Sequence, residues 1–153
     1  MNQPQKSSII DAAKHRVMAM LDNFYESLDS EKEALYEETK NSAGDKYETQ
    51  REMLQADIKR TEQQLDETKV YMEILENLHD NHDPIAIGTV AHIKQDSEDF
   101  WIFVGPAVGD LLVEGFKVKT VSSHSPIGKA LIGKHKGENF QLNDKSFTVL
   151  NCY

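Results

Sequence analysis

Glu38-Thr39-Lys40-Asn41-Ser42-Ala43-Gly44-Asp45-Lys46-Tyr47-Glu48 decides the fold, because it joins two long runs of helical periodicity. Upstream, from Ile9 to about Lys40, there is no proline or glycine, and Ile10, Val17 and Phe24 recur every seventh residue, as do Leu21, Leu28 and Leu35. The two sets interleave at steps of four and three, the apolar seam of a coiled coil. Downstream, from Lys46 to about His79, Leu54 and Leu75 share one row with Tyr47, Thr61 and Thr68, while Ile58, Leu65 and Met72 share the other with Arg51. Gly44 is the only glycine in the first 87 residues. A short link between two long amphipathic helices forces them to lie side by side and antiparallel. The expectation is a helical hairpin, each arm of ~33 residues running ~50 Å. One continuous helix in an intermolecular coiled coil is the alternative. Glu31, Arg51, Thr61 and Thr68 interrupt the apolar rows, weakening the seam while fixing its register.

The helical period stops at His79-Asp80-Asn81-His82-Asp83-Pro84, which reads as a hinge. Beyond it, 85–90, Phe100–Gly105, Phe116–Val121 and Ser146–Asn151 are rich in β-branched and aromatic residues and read as strands. Asn143-Asp144-Lys145 is suited to a hairpin turn before the last strand. One helix interrupts the strands: Ser125 serves as its N-cap, Pro126 suits its first position, and Gly133 ends it. The expected class is α+β, with an antiparallel coiled-coil hairpin over 1–79, a hinge over 80–84, and a small domain over 85–153 built of a mainly antiparallel sheet and one helix.

Charge narrows the function. The net charge of −9 is concentrated in residues 1–79, where 10 basic residues face 17 acidic ones, leaving −2 for the remainder. Duplex DNA binding needs basic residues against phosphates, so direct DNA contact is not expected. No apolar run approaches the ~18 residues of a membrane span, and no membrane partner is expected. The opening MNQPQKSSII has neither the basic cluster nor the apolar stretch of a signal peptide. With a single cysteine, Cys152, no internal disulfide can form, and a cytoplasmic location is expected.

Ser125-Pro126-Ile127-Gly128-Lys129-Ala130-Leu131-Ile132-Gly133-Lys134, followed by Gly137-Glu138, resembles the SPIxxALIGK…GD region of the GreA/GreB transcript cleavage factors. Gly44-Asp45-Lys46-Tyr47-Glu48 matches their Gly-Asp-x-x-Glu hairpin tip, and the order of hairpin then sheet domain agrees over nearly the whole chain. The sequence departs from the family's usual residues at Lys46, Thr49 and His124. The resemblance implies an FKBP-like carboxyl-terminal domain. It also implies an accessory factor of bacterial RNA polymerase, not a free-standing enzyme, whose hairpin enters the secondary channel and stimulates Mg²⁺-dependent cleavage of backtracked RNA. Asp45 and Glu48 would assist catalysis and hold Mg²⁺ jointly with the polymerase, with no ion bound by the chain alone. RNA would be touched only inside that complex. His124, Ser125 and Pro126 would dock on the β′ coiled coil. A Gre-like channel regulator without cleavage activity and a coiled-coil interaction protein are the rival readings.

Each motif also has a plainer role. Asp45 with Glu48 three positions on forms a capping box, and one carboxylate oxygen can cap while the other points outward. His79-x-x-His82 lies in a linker without further patterned ligands. Lys117, Lys119, Lys129, Lys134 and Lys136 suit either a solvated face or an acidic partner surface, and Trp101 suits the core.

Overall fold

The computed structural model describes residues 2–40, 45–80 and 83–153, apart from the side chains of Asp45 and Lys46. Two helices come first, α1 (Lys6–Lys40) and α2 (Asp45–Glu76). Strands β1 (Val90–Gln95), β2 (Glu98–Val104), β3 (Asp110–Val113) and β4 (Phe116–Val121) follow, then α3 (Pro126–Leu131), β5 (Asn139–Leu142) and β6 (Lys145–Cys152). The chain forms two compact units, Val17–Met72 and Met1–Arg16 with Glu73–Tyr153.

In the first unit the helices pair antiparallel. Tyr25 meets Lys69, Glu31 meets Thr61 and Lys32 meets Glu62, so numbers rise along α1 as they fall along α2. Leu28, Leu65, Thr61 and Thr68 are buried in the seam, at the positions the seven-residue spacing assigns. The two threonines tolerate burial because each hydroxyl donates a hydrogen bond. Thr61 gives to Glu31 Oε1 at 2.9 Å and Thr68 to the Gln64 carbonyl at 2.7 Å. Glu31 Oε2 and Glu38 Oε2 are buried without a hydrogen-bond partner among the described residues.

The second unit is built on a six-stranded sheet of order β3-β4-β2-β1-β6-β5. Neighbours are antiparallel except β2 and β4, which run parallel with Trp101 opposite Val118. The sheet is therefore mainly antiparallel, as expected, with one parallel pair between β2 and β4. The chain passes from β2 out to β3 at the edge, reverses, and lays β4 back into the gap beside β2. Strand alternation sends Ala91, Ile93, Ile102, Val104 and Val149 into a core closed by Ile85, Leu131 and the stacked pair Phe140–Phe147. The other face carries Val90, Trp101, Phe103 and Val118, all buried, with Trp101 stacked on His92 at 3.9 Å. The start of α1 is tied to this unit by hydrogen bonds. Gln5 N and Ser8 Oγ donate to Glu114, and Arg16 donates to the carbonyls of Val108 and Asp110 at 2.9 and 3.2 Å.

The expected strand over 85–90 is a turn up to Thr89, and pairing starts only at Val90. Gly88 has φ +97°, which breaks an extended run, and the Thr89 hydroxyl accepts from Ala86 N at 3.0 Å. Asn143 and Asp144, at φ +52° and +63°, do form the turn joining β5 to β6.

Candidate functional site

Two places carry the residues singled out from the sequence. The first is the start of α2. Asp45 opens the helix, and its side chain lies outside the described residues, as does Gly44. Glu48 lies in the first turn, is exposed, and makes no ion pair among the described residues. A spacing of three puts positions 45 and 48 near one helix face. Two carboxylates suit a hard cation such as Mg²⁺, which keeps several waters and takes one or two protein oxygens beside other ligands. Among the described residues no group of three or more His, Cys, Asp and Glu side chains is placed to hold a metal. His79 is exposed, and His82 lies outside the described residues.

The second place is the loop before α3. Ser125 is the N-cap: its hydroxyl accepts from Gly128 N at 3.1 Å and donates to the Ser122 carbonyl at 2.7 Å. Pro126 occupies the first helical turn, where a missing N–H costs nothing. Gly128 is required by space, since a Cβ there would stand 1.9 Å from the Ser122 carbonyl oxygen. These constraints hold the loop in one shape with His124 and Pro126 exposed and Ser125 half-buried. Gly133, at φ +84°, ends the helix and donates to the Ile85 carbonyl at 2.8 Å.

Beside this loop is a cavity of about 820 Å³, which the sequence reading missed. Ile74 and Leu78 at the end of α2, Ala86 and Ile87 before β1, and Ile132 after α3 supply its apolar wall. Ser123, His124 and Lys129 also line it. No local spacing connects these positions, and the only hint was apolar residues left at element ends. The lysines do not act as one face: Lys117 pairs with Asp110 at 3.2 Å, Lys119 lies over the Phe100 ring, and Lys129 lines the cavity.

In its helical hairpin and its Ser-Pro-capped helix the chain is similar to the Gre factors. In sequence it is similar to the transcription elongation factor GreA of Streptococcus pneumoniae serotype 4, 42% identical over 76 residues. GreA of the serotype 19F strain G54 is 43% identical over 76 residues. Each alignment takes in 47% of this chain and 44% of the relative, so the chain spans less than half the length of the curated relatives it matches. Among solved structures it is similar to GreA factor homolog 1 (Gfh1) of Thermus thermophilus, at 21% identity and a TM-score of 0.38, covering 93% of this chain and 95% of that one. Thermus aquaticus Gfh1 gives 22% and 0.37, covering 94% and 95%. No protein-family model matches the chain. Among the described residues no helix is long and apolar enough to cross a membrane.

Proposed function

We propose that this chain is an accessory factor of bacterial RNA polymerase that enters the secondary channel and stimulates cleavage of backtracked transcripts. The reading is carried by the Gly-Asp-x-x-Glu sequence at the turn of a helical hairpin in a chain similar to GreA. In the proposed mechanism Asp45 and Glu48 are delivered beside the metal, phosphates and aspartates of the polymerase. A second Mg²⁺, when bound there, would activate a water and stabilise charge on the phosphate being cut. The chain's own part is to supply oxygen ligands and to orient water; the polymerase supplies the reaction centre, so the chain is not itself an enzyme. His124, Ser125 and Pro126 dock on the β′ coiled coil, a role that suits a loop fixed by the Ser125 cap and the close approach at Gly128.

The test is an RNA release assay on stalled, backtracked complexes of the matched polymerase, with and without Mg²⁺. Release of short 3′ fragments that requires both the chain and Mg²⁺ is the expected result. Lys46 and Thr49 at the tip favour a second reading, a channel regulator that lacks cleavage. It would bind polymerase and alter elongation or initiation without fragment release. Failure to copurify with polymerase would overturn both and leave a coiled-coil interaction protein.

A further inference from the structure

The cavity beside α3 has features that transcript cleavage does not use. Its volume of about 820 Å³ falls within the ~300–1,000 Å³ of small-molecule sites and is several times what one anchoring side chain fills. Ile74, Leu78, Ile87 and Ile132 form its wall, and Ile87 and Ile132 remain 43% and 39% exposed. Lys129 lines the same space, exposed and without an ion pair among the described residues. His79 and His124 add two imidazoles, and Glu73 is the one carboxylate among the lining residues.

An apolar wall with an unpaired ammonium suits one kind of ligand. The aliphatic part removes the isoleucine and leucine surface from water, while the anionic end meets Lys129 in a charge-assisted hydrogen bond. A neutral hydrocarbon would leave the lysine unused, and a simple anion would gain only a weak, screened contact at an exposed side chain. We propose that this cavity binds a small anionic amphiphile, a free aliphatic carboxylate of medium length, with its head group at Lys129 and its chain against Ile74, Leu78, Ile87 and Ile132. The proposal rests on the cavity, which shares His124 with the loop proposed to dock on polymerase.

Octanoate, decanoate and dodecanoate, each below its micelle concentration, are titrated into the full chain with labelled isoleucine and leucine methyls. Expected are saturable shifts at those four residues and affinity that rises with chain length, by up to about fourfold per added methylene. Lys129→Gln should weaken decanoate binding by about two- to fivefold, the scale of an ion pair at an exposed side chain, while Glu73→Gln should not weaken it. Absence of saturable shifts, affinity independent of chain length, or equal affinity for dodecylammonium would overturn the proposal. So would retention on anionic phosphatidylglycerol vesicles without binding of free decanoate, which would indicate a membrane surface. Polymerase pull-down and transcript cleavage are read on the same protein, so loss of one activity is distinguishable from loss of the other.

Discussion

Asn caps a helix about as well as Asp but carries no charge, so Asp45→Asn separates the two roles of that residue. The expected outcome is unchanged helix content by circular dichroism with loss of stimulated RNA release; cleavage at the parent rate would remove Asp45 from the mechanism. Gly128→Ala should destabilise the sheet unit by about 2–3 kcal/mol in urea denaturation, because the new Cβ meets backbone that cannot move aside. Tyr153 gives a pH-dependent test. Burial first, and then the Glu114 carboxylate, push its phenol up to about 12, whereas an unfolded tyrosine ionises near 10. The fold therefore holds this proton more tightly than the unfolded chain does. The resulting stability is intact below pH 10 and is lost as the pH climbs from about 10 to about 12. Tyr153→Phe should flatten that loss in denaturation curves taken at pH 8 and pH 11. At pH 8 it should cost about 1 kcal/mol, since the hydroxyl donates to the Pro4 carbonyl.

At the scale of elements, the hairpin seam contains a replaceable polar pair. Thr61 donates to Glu31, whose second carboxylate oxygen is buried without a partner. Replacing both, Glu31→Leu with Thr61→Val, should stabilise the hairpin by about 1 kcal/mol, whereas Thr61→Val alone should destabilise it by leaving the carboxylate unsatisfied. Thermal melts of the two variants distinguish these signs. The helices were legible in the sequence because their apolar rows persist for many turns, and α3 because Ser125, Pro126 and Gly133 punctuate it. β3 and β5 were not, being four-residue edge strands too short to establish alternation; Leu112 in β3 is 79% exposed despite its apolar character. The run 85–90 misled because Ile85 enters the core from a turn while Ile87 stays 43% exposed. Nor could local spacing show that β4 lies beside β2, since strand adjacency depends on where the chain returns. The two candidate sites were legible for opposite reasons: the tip as a short motif between long helices, the loop as a cap. The cavity was not, since its wall comes from three separate segments.

For the whole molecule, period and packing divide the chain differently. The change of period falls near residue 80, yet Met1–Arg16 belongs to the same compact unit as Glu73–Tyr153. A fragment of residues 80–153 would lack the hydrogen bonds from Gln5, Ser8 and Arg16 as well as the buried Ile9 and Ala13. It should unfold at distinctly lower urea concentration than the same residues in the full chain. Equal midpoints would mean that neither the first sixteen residues nor residues 73–79 contribute to that unit.

Tyr153 reaches the backbone of Pro4, and Asn151 reaches Gln3 at 3.4 Å, so the first and last described stretches are neighbours in space. Closely placed ends allow a chain to be re-ordered. A short glycine-serine bridge could join them, with a new start cut at Asn143-Asp144, producing a permuted protein that keeps every strand neighbour while β6 becomes the first strand to emerge during synthesis.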